Sequence, residues 1–197
     1  FLHGQFDGGH GAGIEDYWEK MWHNPLSAGG FLWDFADNAV VRKDKNDSLD
    51  TDKHRAADGI VGPHHEKEAS FYTIKEVWSP VFFERREIVE GFDGKLNIEN
   101  RYHFSNTKEC SFNWKLKRFD ITTSKETEGK ATAPDIQPGA KGKLQLPLPA
   151  DWKNYDVLYV TVKDATQKEI FTWSFPIVQP RQVTKRMVAK NGTTKPK

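Results

Sequence analysis

Gly29-Gly30-Phe31-Leu32-Trp33-Asp34-Phe35-Ala36-Asp37 is the stretch that decides how the first half of this chain folds. Its apolar centre follows two glycines and leaves through carboxylates, the pattern of a buried strand ending in polar and aromatic groups. Ahead of it, Phe1-Leu2-His3-Gly4-Gln5-Phe6-Asp7 repeats the plan, with an apolar strand, a Gly-rich loop over 8–13 and then a helix. Two such units in tandem predict βα repeats, whose parallel strands present a site at one end.

Helical patterns flank the stretch. Ile14, Tyr17, Trp18 and Met21 recur at i, i+3, i+4 and i+7, with Glu15 and Asp16 in the first turn where the helix dipole favours anions. This predicts a helix over about 14–22. A second is expected to begin after Gly62-Pro63, to carry Phe71, Ile74 and Trp78 on one face, and to stop before Pro80. Between strand and second helix, the polar run from Arg42 to Gly59 is longer than an ordinary connection, which marks it as functional or mobile.

From Val81 onward the period changes from helical to alternating. Leu96, Ile98, Tyr102 and Phe104 alternate with charged and polar residues, as do Cys110, Phe112, Trp114 and Leu116, and segments 143–148, 156–163 and 169–177 continue the pattern. Half-buried antiparallel strands alternate in this way. Turn residues at Asp93-Gly94, Asn106, Pro138-Gly139 and Asp164 separate the strands, and the spacing predicts an immunoglobulin-like β-sandwich without the cysteine pair of antibody domains. The expected organisation is therefore an α/β region over 1–80, an all-β sandwich over 81–178, and a basic linker or disordered tail over 179–197.

Composition bounds the function. With 29 basic and 28 acidic residues the formal charge is +1, which leaves no net field to hold a polyanion and argues against nucleic acid. Cys110 is the single cysteine, so an internal disulfide and cysteine-based zinc sites are excluded. The sequence has neither an 18-residue apolar run nor a basic-then-apolar leader; it reads as soluble, without a membrane partner, and leaves cytoplasm or periplasm open. Six of the seven histidines and four of the seven tryptophans fall in residues 1–80, which concentrates site-forming side chains there.

Each candidate has a site reading and a structural one. His3 and Asp7 lie at or beyond the end of the first strand, facing a ligand or serving as a core histidine and a loop cap. The loop Gly8 to Gly13 lacks the dinucleotide pattern and reads as a tight turn. Trp33 offers an apolar platform for a sugar ring, or ordinary packing. His54, His64 and His65 match no zinc spacing, and no metal ligand is assigned. Asp58-Gly59 places a carboxylate before the second helix, to bind a hydroxyl or cation or simply to form a turn.

Together these motifs resemble glycoside hydrolase family two, in particular the bacterial β-galactosidases. The resemblance is carried by Phe1-Leu2-His3, Asp16-Tyr17-Trp18, Gly29 to Asp34, and Ala57-Asp58-Gly59-Ile60-Val61. It implies that residues 1–80 are the last two βα units of a TIM (β/α)₈ barrel, which needs on the order of 250 residues in all, followed by the β-sandwich. It also implies a retaining hydrolase of terminal β-galactosides, with a nucleophilic glutamate expected immediately before Phe1 and no catalytic residue within the chain. By resemblance His3 supports sugar hydroxyls and the transition state, and Trp33 lines the galactose pocket. Asp58 stands where the family often has a sodium- and substrate-binding asparagine.

The family's magnesium and sodium are held mostly by upstream residues, so no cofactor is assigned to these residues themselves. The implied partners are a carbohydrate substrate and the remainder of the parent enzyme, with an oligomer left open. Two alternatives remain: another β-glycosidase specificity such as glucuronidase or glucosidase, and a non-catalytic carbohydrate-binding or structural sandwich.

Overall fold

The computed structural model describes residues 2–3, 13–51, 58–120 and 123–191. Asp7, the loop over 8–12 and His54 lie outside the described residues. Strands dominate, with few helices, and the chain divides into two compact units, Phe1–Trp78 and Ser79–Lys197.

In the first unit, β1 (Leu2–His3) pairs in parallel with β2 (Leu32–Trp33). Helix α1 (Ile14–Trp22) lies between them in sequence and occupies the span its apolar period predicts. After β2 the chain forms a hairpin of β3 (Ala39–Arg42) and β4 (Ser48–Thr51). Arg42 clamps this hairpin by donating to Asp44 at 2.8 and 2.7 Å and to Asp50 at 2.7 Å, so part of the long polar run is an ordered ribbon. The core of the unit is small: Ile14, Ile60, Val61, Ile74 and Val77 are buried, with Trp18, Leu32, Ala36 and Phe71 packed on them.

Helix α2 (Ala69–Val77) begins later than Gly62-Pro63 suggests. Residues 61–67 instead fold back on themselves, with Val61 bridged antiparallel to Lys67 and the Gly62 N–H bonded to the Glu66 carbonyl at 2.9 Å. His65 takes the left-handed conformation, φ 62°, that this reversal requires. The turn competes for the backbone donors that a helix starting at Pro63 would need.

The second unit is a sandwich of two antiparallel sheets. One has the order β5-β6-β9, from Val81–Phe83, Lys95–Asn100 and Lys141–Gln145. The other has the order β11-β10-β7-β8, from Glu169–Pro176, Val157–Lys163, Ser111–Arg118 and Lys125–Ala131. Val81, Phe83, Ile98 and Leu144 from the first sheet share one core with Phe112, Leu116, Leu158, Val160 and Phe175 from the second. Seven strands in two sheets suit the immunoglobulin-like class, but the fourth strand, β8, pairs with β7 and so joins the larger sheet.

Two local readings change, and one strand is added. The alternation of Tyr102 and Phe104 does not continue β6: Asn100 turns its side-chain amide onto the Ser105 and Ile136 carbonyls at 2.9 and 2.8 Å and accepts from the Tyr102 N–H, ending the strand. Phe104 is consequently 96% exposed. Strand β8, Lys-Glu-Thr-Glu-Gly-Lys-Ala, has no apolar alternation because it is a sheet edge, where charged residues discourage further pairing. The tail, expected as a linker or disordered, contains helix α3 (Pro180–Asn191). Arg186 on this helix donates to the Phe119 carbonyl at 3.1 Å and to the carboxylate of Asp156, tying a segment with little helical periodicity of its own to the sandwich.

Candidate functional site

The parallel segments of the first unit bring the three sequence-selected residues onto neighbouring positions. His3 is the register partner of Trp33. One residue further, the Asp34 N–H donates to the Asp58 carbonyl at 3.1 Å, and the ladder continues from Ile60 N–H to Phe35 O at 3.0 Å and Asp37 N–H to Val61 O at 3.0 Å. Ala36 and Val61 form a parallel bridge. His3, Trp33 and Asp58 thus stand side by side on three chain segments that run in the same direction.

Gly59 permits this approach. A Cβ there would lie 2.4 Å from the Asp37 nitrogen and 2.6 Å from the Ala36 carbonyl carbon, so any larger residue would push the third segment off the second. Its N–H is held by the Asp37 carboxylate at 2.9 Å. The Trp33–Asp34 peptide is cis.

The two faces of this array differ. Leu32 and Ala36 pack against the core formed with α1 and α2. Phe31, Trp33 and Phe35 are 78%, 46% and 62% exposed, so a row of large aromatics occupies the open side. Asp58 is only 9% exposed. His64 and His65 follow it in the turn before α2, and the His65 ring lies 5.9 Å from that of Phe35. Among the described residues no group of three or more His, Cys, Asp or Glu is placed to hold a metal ion.

Asp34 was not selected from the sequence, although it belongs to the quoted motif. One of its carboxylate oxygens is buried and has no hydrogen-bond partner among the described residues. The pattern Trp-Asp at the end of an apolar strand was the available signal. The array presents an open indole surface at Trp33, while Asp58 and one carboxylate oxygen of Asp34 are buried.

In the sandwich, Trp114 and Trp173 are buried in the core, as their alternating rows imply, whereas Trp152 is only partly buried. A groove of about 420 Å³ on the larger sheet is lined by Asn113, Lys115, Glu128, Lys130 and Thr161 among others. It carries no exposed aromatic platform.

Residues 96–182 match the family profile described as β-galactosidase, domain 4. The β-galactosidase of Pectobacterium atrosepticum is 23% identical over 121 positions, covering 56% of this chain and 11% of that protein. The β-galactosidase of Priestia megaterium is 24% identical over 130 positions, covering 60% of this chain and 12% of that protein. The chain therefore spans about an eighth or less of these curated relatives. The exo-chitosanase of Amycolatopsis orientalis aligns with TM-score 0.37 at 15% identity over 60% of this chain and 13% of that one. A β-D-mannosidase from Dictyoglomus thermophilum aligns with TM-score 0.27 at 17% identity over 61% and 14%. The sandwich carries the likeness to glycoside hydrolase family two that the motifs suggested.

Proposed function

We propose that the first unit is the closing part of a (β/α)₈ barrel, and that the parent protein is a retaining glycoside hydrolase of terminal β-galactosides. The observation that carries this reading is the two-sided parallel array, with helices against Leu32 and Ala36 and an open aromatic row, Phe31, Trp33 and Phe35, on the other side. Barrel strands have this division: helices cover the outside, and side chains on the other side fill the interior and the mouth. The thin core and exposed aromatics are then surfaces that the remaining strands cover.

In this reading Trp33 stacks on the apolar face of the sugar, while His3, Asp58 and Asp34 bind hydroxyl groups around it. A retaining mechanism needs two carboxyls about 5 Å apart, one attacking the anomeric carbon and the other protonating the leaving oxygen and then activating water. We assign neither role to a residue of this chain. It supplies part of the sugar pocket, and turnover requires the rest of the enzyme.

The test is the full-length enzyme with Trp33→Ala, assayed on a nitrophenyl β-galactoside. The expected loss of catalytic efficiency corresponds to a few kcal/mol, the scale of removing a buried aromatic contact. Unchanged efficiency removes Trp33 from the pocket, and turnover by the 197-residue chain alone overturns the division of labour. The same assay with β-glucosides and β-glucuronides decides the sugar.

A further inference from the structure

We propose that His65 is a specificity-determining residue, which with Phe35 reads the leaving group of the substrate at the mouth of the site. The proposal rests on the reading of the first unit given above and adds to it the residues that tell one β-galactoside from another. Strand β2 ends at Trp33, and Phe35 follows two positions later, 62% exposed on the same open side. An extended chain advances about 3.3 Å per residue, so Phe35 stands roughly 6 Å beyond Trp33, toward the strand ends at which a parallel array presents its site. An enzyme that removes a terminal sugar takes that sugar into the closed end of the site, and the leaving group points out through the mouth. With the terminal sugar on Trp33, Phe35 meets what is attached to it.

The turn ahead of α2 holds His65 against Phe35. The Gly62 N–H bonds to the Glu66 carbonyl at 2.9 Å, the His65 N–H to the Gly62 carbonyl at 2.8 Å, and the His64 N–H to the Glu66 carboxylate at 2.8 Å. Val61 bridges Lys67 across the same reversal. His65 itself sits at φ 62°, in the left-handed region that histidine enters more readily than most side chains. With the backbone fixed in this way, little freedom is left for binding to remove.

The two rings lie 5.9 Å apart and are inclined at 59°, so they form an open corner and not a closed stack. Both side chains stay exposed. The walls of the corner differ in kind. The phenyl face takes the C–H groups of a ring, whereas a neutral imidazole donates from one nitrogen and accepts at the other, which suits hydroxyl groups. A sugar leaving group, as in a disaccharide, engages both walls. A nitrophenyl leaving group offers no hydroxyl and meets the phenyl wall alone.

The experiment compares lactose with a nitrophenyl β-galactoside in the full-length enzyme and reads the ratio of their catalytic efficiencies. His65→Gly removes the imidazole and keeps the left-handed backbone. It is expected to lower the ratio, lactose over nitrophenyl galactoside, about tenfold, the factor that matches one lost hydrogen bond. Phe35→Ala is expected to lower both efficiencies, since both leaving groups meet the phenyl wall. Where circular dichroism shows that His65→Gly has not folded, His65→Asn replaces it: asparagine tolerates the same backbone, and its shorter amide is expected to lower the ratio as well. Trp33→Ala, which touches the sugar common to both substrates, distinguishes this proposal from the reading beneath it. Losses on both substrates in Trp33→Ala with an unmoved ratio in His65→Gly overturn the role of His65 and leave the pocket standing. Efficiencies unchanged in Trp33→Ala overturn the pocket, and the role of His65 with it. An equal loss on both substrates in His65→Gly makes His65 a structural residue and also overturns the proposal.

Discussion

Gly129 on β8 faces the ring of Trp114 on β7, its register partner. A Cβ placed there would lie 2.5, 2.8 and 3.1 Å from Cζ2, Cε2 and Nε1 of the indole. Ordinary contact begins near 3.4 Å, so Gly129→Ala requires the ring to move by nearly an ångström. Trp114 cannot move freely, because it is buried in the shared core at the centre of the larger sheet. Overpacking of this kind costs about 1–3 kcal/mol, offset by roughly 0.5–1 kcal/mol from the reduced freedom of the unfolded chain. The net expectation is a loss of about 1–2 kcal/mol. With a urea m-value of roughly 1.5 kcal/mol per molar, the midpoint falls by about 1 M. The assay is urea unfolding followed by circular dichroism, repeated in a Trp114→Phe background where the smaller ring leaves room for the methyl. There Gly129→Ala is expected to be neutral or mildly stabilising, giving a coupling of about 1 kcal/mol or more. An unchanged midpoint in the native background, or two effects that simply add, would refute the steric reasoning.

Other expectations follow from the same packing. Burial pushes the Cys110 thiol pKa up, with Asp164 and Glu109 adding to the effect against an opposing hydrogen bond from Tyr102, so its thiolate fraction at pH 8 is below that of a free cysteine. Labelling by a thiol reagent should be about 100-fold slower in the folded chain than in urea, and equal rates would show that the core opens readily. Hydrogen bonds hold the carboxyls of Glu84, Asp93 and Glu126 below their ordinary values, through Lys141, Lys95 and Lys117 respectively. Carboxyls lowered in the folded state stabilise it fully above their unfolded values and lose that contribution as pH falls through the folded ones. The urea midpoint should therefore hold from neutrality down to the ordinary glutamate value of 4.5 and decline below it; a rise on acidification would contradict the pairing. Asp156→Ala removes the acceptor of the Phe119 N–H, bonded at 2.8 Å, and of Arg186. A loss of about 2–4 kcal/mol is expected, together with the helical signal of α3, and a full helical signal would show that α3 is held by other contacts.

The sequence by itself determined what its periods can encode. The stripe at Ile14, Trp18 and Met21 with an acidic first turn dictates a helix, and α1 occupies Ile14–Trp22. The alternation of Phe112, Trp114 and Leu116 dictates a half-buried strand, and all three side chains are in the core. These elements follow from local geometry, 3.6 residues per turn or two per pleat, acting on nearby residues. The Gly-Gly-Phe-Leu-Trp-Asp motif likewise marked a strand, β2 at Leu32–Trp33.

Only the tertiary structure decided what depends on residues far apart in the chain. Strand β8 exists because β7 offers it a full ladder of hydrogen bonds, although its own residues are charged. Helix α3 is anchored where Arg186 reaches a carboxylate thirty positions earlier in the chain. The end of β6 is set by Asn100 reaching Ile136, and the late start of α2 by a turn that takes its backbone donors. The adjacency of His3, Trp33 and Asp58 is of the same kind, created by parallel pairing across long connections and by the missing side chain of Gly59. Hydrogen bonds and packing between distant segments are satisfied only once the chain has closed on itself, and no local period records which segments will meet.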